Sequence, residues 1–95
     1  MSMIFEWDED KAASNWSRHK VSFDEAQDVF LDDLSIVVPD AEHSRSEMRF
    51  RIVGVSNTRR IIVVSFTERG EKIRLISARK ATASEIKDYE EGFEQ

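Results

Sequence analysis

Three stretches in the second half of the chain limit the fold more than anything else in the sequence. "MRFRIVGVS" (residues 48–56) places Met48, Phe50 and Ile52 on one face, with Arg49, Arg51 and Val53 on the other. "RIIVVSFT" (60–67) is almost continuously apolar, and "KIRLISAR" (72–79) alternates apolar with charged residues. Only "NTRR" and "ERGE" separate them. Parallel neighbours need a crossover of about a dozen residues or more, so connections this short join antiparallel neighbours. The middle stretch has the composition of a central strand covered on both faces. A meander of three long antiparallel strands is therefore predicted.

The remaining elements are shorter. "MIFEWD" reads as a brief strand, after which Asp8 caps a helix running to about Arg18. Ala12, Ala13 and Trp16 would form the apolar face of that helix, and both Trp7 and Trp16 are assigned to the core. Ser22 and Glu25 have the S-x-x-E spacing of a capping box ahead of Phe23, Ala26 and Phe30. "LSIVVPD" is a short strand stopped by Pro39, and "AEHSRSE" is a polar loop. Thr82 and Glu85 open a last helix with Ile86, Tyr89 and Phe93 at apolar spacings. The predicted order is β-α-α-β-β-β-β-α, an α+β fold with a small antiparallel sheet and its helices on one face. Ninety-five residues make one domain, 1–95.

The chain has no cysteine, so disulfides, thiolate metal sites and thiol nucleophiles are excluded. No apolar run approaches the roughly 20 residues of a membrane helix. A cytoplasmic protein without membrane contact is expected. The net charge of −5 conceals a division: residues 1–44 carry −8, residues 45–80 carry +7 and residues 81–95 carry −4. A basic middle of this kind is the electrostatic footprint of a polyanion site, or else the solvated face of a sheet.

Cations gather where the last strand meets the last helix. On a regular strand Arg79 would leave the sheet on the side of Leu75, at the N-terminus of the helix. Arg79, Lys80 and the free N–H groups there would make an anion site. The alternative is that Arg79 pairs with Glu85 and ties strand to helix.

"FEWDEDKAASNWSRHKVSFDEA", "EHSRSEMRFRIVG" and "TERGEKIRLISARKATASEIKDYEEG" together resemble the BrnT family, toxins of type II toxin–antitoxin systems. The resemblance covers nearly the whole chain, and the run from Arg74 through Tyr89 is its most specific part. Lys20 departs from it, standing where the family often has a glycine suited to a left-handed helix cap. The resemblance implies a bacterial ribonuclease with a RelE-like fold that needs no metal or other cofactor. It also implies growth or translation arrest, and neutralisation by a BrnA-type antitoxin that alone contacts operon DNA.

RNA carries its own nucleophile, the 2′-hydroxyl. A hydrolase of this kind needs a base, a cation for the pentavalent phosphorus and an acid for the leaving oxygen. His43 is the candidate acid or base, with Glu47 to orient it or act itself. His43, Glu47 and Arg49 form an H-x-x-x-E-x-R cluster similar to the family's. Arg49, Arg69 and Arg79 are candidates for the scissile phosphate. Arg51, Arg74 and Lys80 are candidates for RNA binding. His19 reads as a helix C-terminal residue favoured by the dipole. Tyr89 is expected to be half-buried, with its hydroxyl able to reach the site. The competing hypothesis is a non-catalytic module that binds RNA or a protein partner through the basic sheet face.

Overall fold

A computed structural model of the chain describes residues 3–92. Among these residues the order is β1 (Ile4–Glu6), α1 (Glu9–His19), α2 (Phe23–Val29), β2 (Ile36–Pro39), a single 3₁₀ turn (Ala41–His43), β3 (Arg49–Val55), β4 (Ile61–Arg69), β5 (Lys72–Lys80) and α3 (Ala83–Glu91). This is the predicted α+β order. The five strands form one sheet in the order β1-β5-β4-β3-β2. The meander β3-β4-β5 is antiparallel, and β2 adds antiparallel to β3. The expectation of a purely antiparallel sheet is corrected at one edge. β1 pairs parallel with β5, Phe5 opposite Ile73, and the whole α1-to-β4 segment serves as the crossover. The β4–β5 hairpin turns over two residues, and Gly70 takes φ +61 there, as a tight hairpin requires.

The core lies between the sheet and the first two helices. Val21, Phe23, Ala26 and Val29 meet Ile52, Ile62, Val64, Phe66, Leu75 and Ala78, all buried. Gly54 lets α2 approach β3: a Cβ there would come within 3.0 Å of both Val29 and Asp32. Phe30 stands edge-on between Phe5 and Phe66, with centroids 5.1 and 5.0 Å away.

Three expectations change. Trp16 is 52% exposed, with the Lys20 ammonium 5.6 Å from its ring centroid; it is not core. The residue α1 buries is Asn15. Its amide donates to the Val21 and Ala78 carbonyls at 2.9 and 2.8 Å and accepts the Ala78 N–H at 2.9 Å. β1 pairs only with Lys72–Arg74, so beyond that point Asn15 stands in for a neighbouring strand. Finally, the helices do not share one face. α3 packs on the other side of the sheet, where Glu85, Asp88 and Tyr89 close a cavity of about 130 Å³ over Val53 and Val63. Phe93 lies outside the described residues.

Candidate active site

The face opposite the core is built by alternation. Arg51 and Val53 on β3, Val63 and Ser65 on β4, and Ser77 and Arg79 on β5 are mutual register partners, interleaved with the core residues. A β-bulge puts Arg79 in this set. Ser65 is opposite Ser77, but Phe66 is opposite Leu75, so Ile76 is an extra residue. The expectation that Arg79 shares Leu75's side is thereby corrected: the bulge inverts the parity, and Leu75 and Ala78 both face the core.

α3 covers one end of this face. The rest is a cleft of about 230 Å³ whose polar walls are Asp40, His43, Arg49, Arg51, Ser65 and Arg79. Ile76 and Ser77 close it at the β5 edge. The cleft brings four predicted site residues together from three places in the chain.

His43 is oriented by Asp40, not Glu47. Its Nδ1 lies 2.9 and 3.1 Å from the two Asp40 carboxylate oxygens. The His43 side chain is 61% exposed and that of Asp40 only 11%. One ring nitrogen is thus engaged, while much of the ring remains exposed. The hydrogen bond to His43 holds the Asp40 carboxyl below its ordinary range, helped by the charge of Arg51. The loop is tied to β3: Asp40 N–H donates to the Arg49 carbonyl at 2.8 Å. Ser44 Oγ donates to the Asp40 carbonyl at 2.7 Å and accepts the Arg49 N–H at 2.9 Å.

Arg79 makes a two-point pair with Glu85 at 2.8 and 2.9 Å. Glu85 also accepts the Thr82 N–H at 2.9 Å, while Thr82 Oγ1 accepts the Glu85 N–H, completing the predicted capping box. These partners, Arg79 foremost, bring the Glu85 carboxyl down to about 2. Arg79 therefore pairs with Glu85, in line with the alternative reading of the sequence, and also lines the cleft. The buried Nε of Arg51 has no hydrogen-bond partner among the described residues.

Two comparisons bear on what this cleft serves. The sequence profile described as "Ribonuclease toxin, BrnT, of type II toxin-antitoxin system" matches residues 7–85. The chain belongs to this family. The crystal structure of the Brucella abortus ribonuclease toxin BrnT is similar at 26% identity and a TM-score of 0.67, over 85% of this chain and 99% of that one. No curated protein matches the sequence. The family makes the chain a ribonuclease toxin, with RNA as its target and an antitoxin as its counterpart.

Not every predicted site residue lies in the cleft of this BrnT-family toxin. Glu47 lines an adjoining depression that shares His43 and Arg49 with the cleft, but its carboxylate faces Arg69 at 3.4 Å. Arg74 pairs with Glu6 at 2.8 Å, toward the other end of β5. Lys80 is exposed and lies opposite Ile62, on the core side of the rim. Tyr89 is buried, and its hydroxyl donates to Asp32 at 2.5 Å, away from the cleft. Burial and that carboxylate push the Tyr89 phenol up to about 12. Asp40 is the residue that sequence reasoning missed. Its signal was the spacing D-x-x-H across one helical turn.

Among the described residues, no helix is long and apolar enough to cross a membrane. No group of His, Asp and Glu there could hold a metal ion.

Proposed function

We propose that the His43–Arg49–Arg51–Arg79 cleft is where this toxin cleaves RNA. The observation that carries this reading is the convergence of a histidine, held by a carboxylate, with three arginines on one open sheet face. Asp40 accepts the Nδ1 proton of His43, which leaves Nε2 free to exchange a proton with substrate. The 2′-oxygen attacks phosphorus and loses its proton to a base. The bond to the 5′-oxygen breaks, and that oxygen takes up a proton. The products are a 2′,3′-cyclic phosphate and a 5′-hydroxyl. Arg49, Arg51 and Arg79 hold the charge that builds on the phosphoryl oxygens. Glu47, in the adjoining depression with Arg69 against it, is the proposed second proton carrier. Arg74 and Lys80 are proposed to attract the strand from further out.

The same reading includes the finer biology. Cleavage arrests translation and growth in the cytoplasm, without a metal, and a BrnA-type antitoxin neutralises the toxin and contacts operon DNA. The test is incubation of the purified chain with RNA in EDTA, beside His43→Ala, with analysis of product ends. Cyclic-phosphate ends and a loss of about a hundredfold or more in the variant are expected. Uncut RNA, or full activity in His43→Ala, would sink the assignment.

A further inference from the structure

The cleft does not end at β5. Ile76 and Ser77, which close it, also form the floor of a second groove of about 230 Å³ whose far wall is Lys11, Ser14, Arg18 and His19 of α1. The groove exists because β1 stops at the residue opposite Arg74, leaving the next part of β5 without a strand neighbour on the edge away from β4. Asn15 satisfies the buried Ala78 backbone, which has no strand partner on that side.

Positions 11, 14, 15, 18 and 19 lie on one face of a helix. Among the described residues, Lys11 and Arg18 have no ion-pair partner; of the β5 cations Lys72, Arg74 and Arg79 each have one and Lys80 has none. The helix dipole favours Arg18 and His19 in the last turn of α1 but disfavours Lys11 in the first, so it does not account for the row. Glu9 and Asp10, the acidic residues of that first turn, do not line the groove. In a chain of net charge −5, two cations without ion-pair partners, Lys11 and Arg18, in a groove continuous with an arginine-lined cleft fit an extended polyanion passing through both.

We propose that the α1 groove is a second subsite of the toxin, binding the phosphodiester backbone of the RNA strand next to the cleaved link. This rests on the cleft being the cleavage site. Lys11 and Arg18 supply the charge, and Ser14 and His19 are the neighbouring donors. The subsite adds affinity for the strand beyond the cleaved link.

The experiment uses the double variant Lys11→Ala/Arg18→Ala. Lys87→Ala/Arg59→Ala, two exposed cations outside both grooves, is the control for net charge. Binding of a 2′-O-methyl RNA 20-mer, which lacks the attacking hydroxyl, is followed by fluorescence anisotropy across a salt series. Cleavage of an unmodified 20-mer and of a dinucleotide is measured in parallel. The groove variant should bind the 20-mer about tenfold more weakly. Its log–log salt slope should be shallower by about 1.4, from roughly 0.7 for each of two phosphate contacts. KM for the 20-mer should rise with kcat unchanged, and dinucleotide cleavage should stay as in the parent. Equal losses in the control variant would overturn the proposal by reducing it to net charge. Unchanged 20-mer binding and KM would overturn it and leave the cleavage site intact. If those stayed unchanged while inhibition by the cognate antitoxin was lost, the groove would belong to a protein partner and the proposal would also fall. Absence of cleavage by the parent would instead count against the cleavage site, and the anisotropy series would still judge the groove.

Discussion

Two helices of this toxin begin with the same device, and the two copies end differently. Ser22 and Thr82 each cap a helix by accepting the N–H of the glutamate three residues on. Glu85 completes the box by returning to the Thr82 N–H, and it grips Arg79 as well. Glu25 gives up the return bond. It accepts from Ser56 Oγ at 2.6 Å, Thr58 Oγ1 at 2.5 Å and Arg60, whose Nη2 also donates to the Lys20 carbonyl at 3.0 Å. Each carboxyl is brought down to about 2, in both cases chiefly by its arginine. The difference lies in what surrounds the arginine. Arg60 joins the α1–α2 corner, through the Lys20 carbonyl and Glu25, to the β3–β4 turn, and its pair is a clasp. Arg79 lines the cleft with His43 and two further arginines, and in the proposed function its pair is a mount that aims a cation. On the proposed reading, one motif supplies stability at one end of the sheet and geometry at the other.

Removing each arginine should separate the two roles most widely. Arg79→Ala should lower RNA cleavage by about a hundred- to a thousandfold, the range for loss of one well-placed charge donor. Its melting temperature should fall less than that of Arg60→Ala, because α3 keeps its capping box and the Tyr89–Asp32 bond and Glu85 is the more exposed of the two glutamates. Arg60→Ala should do the reverse. It leaves Glu25, whose side chain is only 10% exposed, without its cation, and should cost about 2 kcal/mol of stability. Cleavage per folded molecule should be unchanged. Denaturant unfolding and single-turnover cleavage on the same preparations would decide it. Equal rate losses in both variants would erase the distinction.

Acid should sharpen the same contrast more gently. A carboxyl whose folded value is depressed contributes stability that is fully present above its unfolded value and lost as pH falls through the folded one. For Glu25 and Glu85 the window runs from the ordinary 4.5 down to about 2. The melting temperature should therefore be nearly flat above pH 5 and fall below it. Glu25→Gln should flatten that fall more than Glu85→Gln, because the Glu25 side chain is the less exposed of the two, at 10% against 22%. Thermal melts at half-unit steps from pH 6 to 3 would show it. Identical slopes would mean that enclosure adds nothing to the clasp.

Much of this was legible in the residues. Alternation and short turns predict the meander because a two-residue period and a tight turn each leave few options. Both helix caps were visible as motifs. Which arginine each glutamate would hold was open for Glu85 and hidden for Glu25, since Arg60 approaches it through a pairing between distant segments. The bulge left one trace, the adjacent apolar pair Leu75–Ile76, where core positions shift from odd to even. That shift decides which face Arg79 occupies. Asn15 escaped because an apolar period cannot flag a polar residue that completes a strand edge. β1 escaped in part because three residues with no adjoining turn do not announce a parallel partner. In the site, the basic strand residues and His43 stood out by type. Asp40 did not, because its role depends on the turn that folds it against His43.

The smallest expected effect lies at the base of the clasp. Lys20 ends α1 in the left-handed region, with φ 57, and its carbonyl is the one that Arg60 holds. A lysine there carries about 1 kcal/mol of backbone strain that glycine lacks. Lys20→Gly keeps the carbonyl and relieves the strain, but it removes the exposed ammonium contact on Trp16, worth about 0.5 kcal/mol. The net should be a gain of about half a kcal/mol in unfolding free energy, with cleavage unaltered. Combining it with Arg60→Ala tests whether strain and clasp are coupled. If the Lys20 carbonyl is held in place by Arg60, glycine should help more when the arginine is present than when it is gone. Additive changes would show that the helix end sets the left-handed turn by itself and that Arg60 only finds it there.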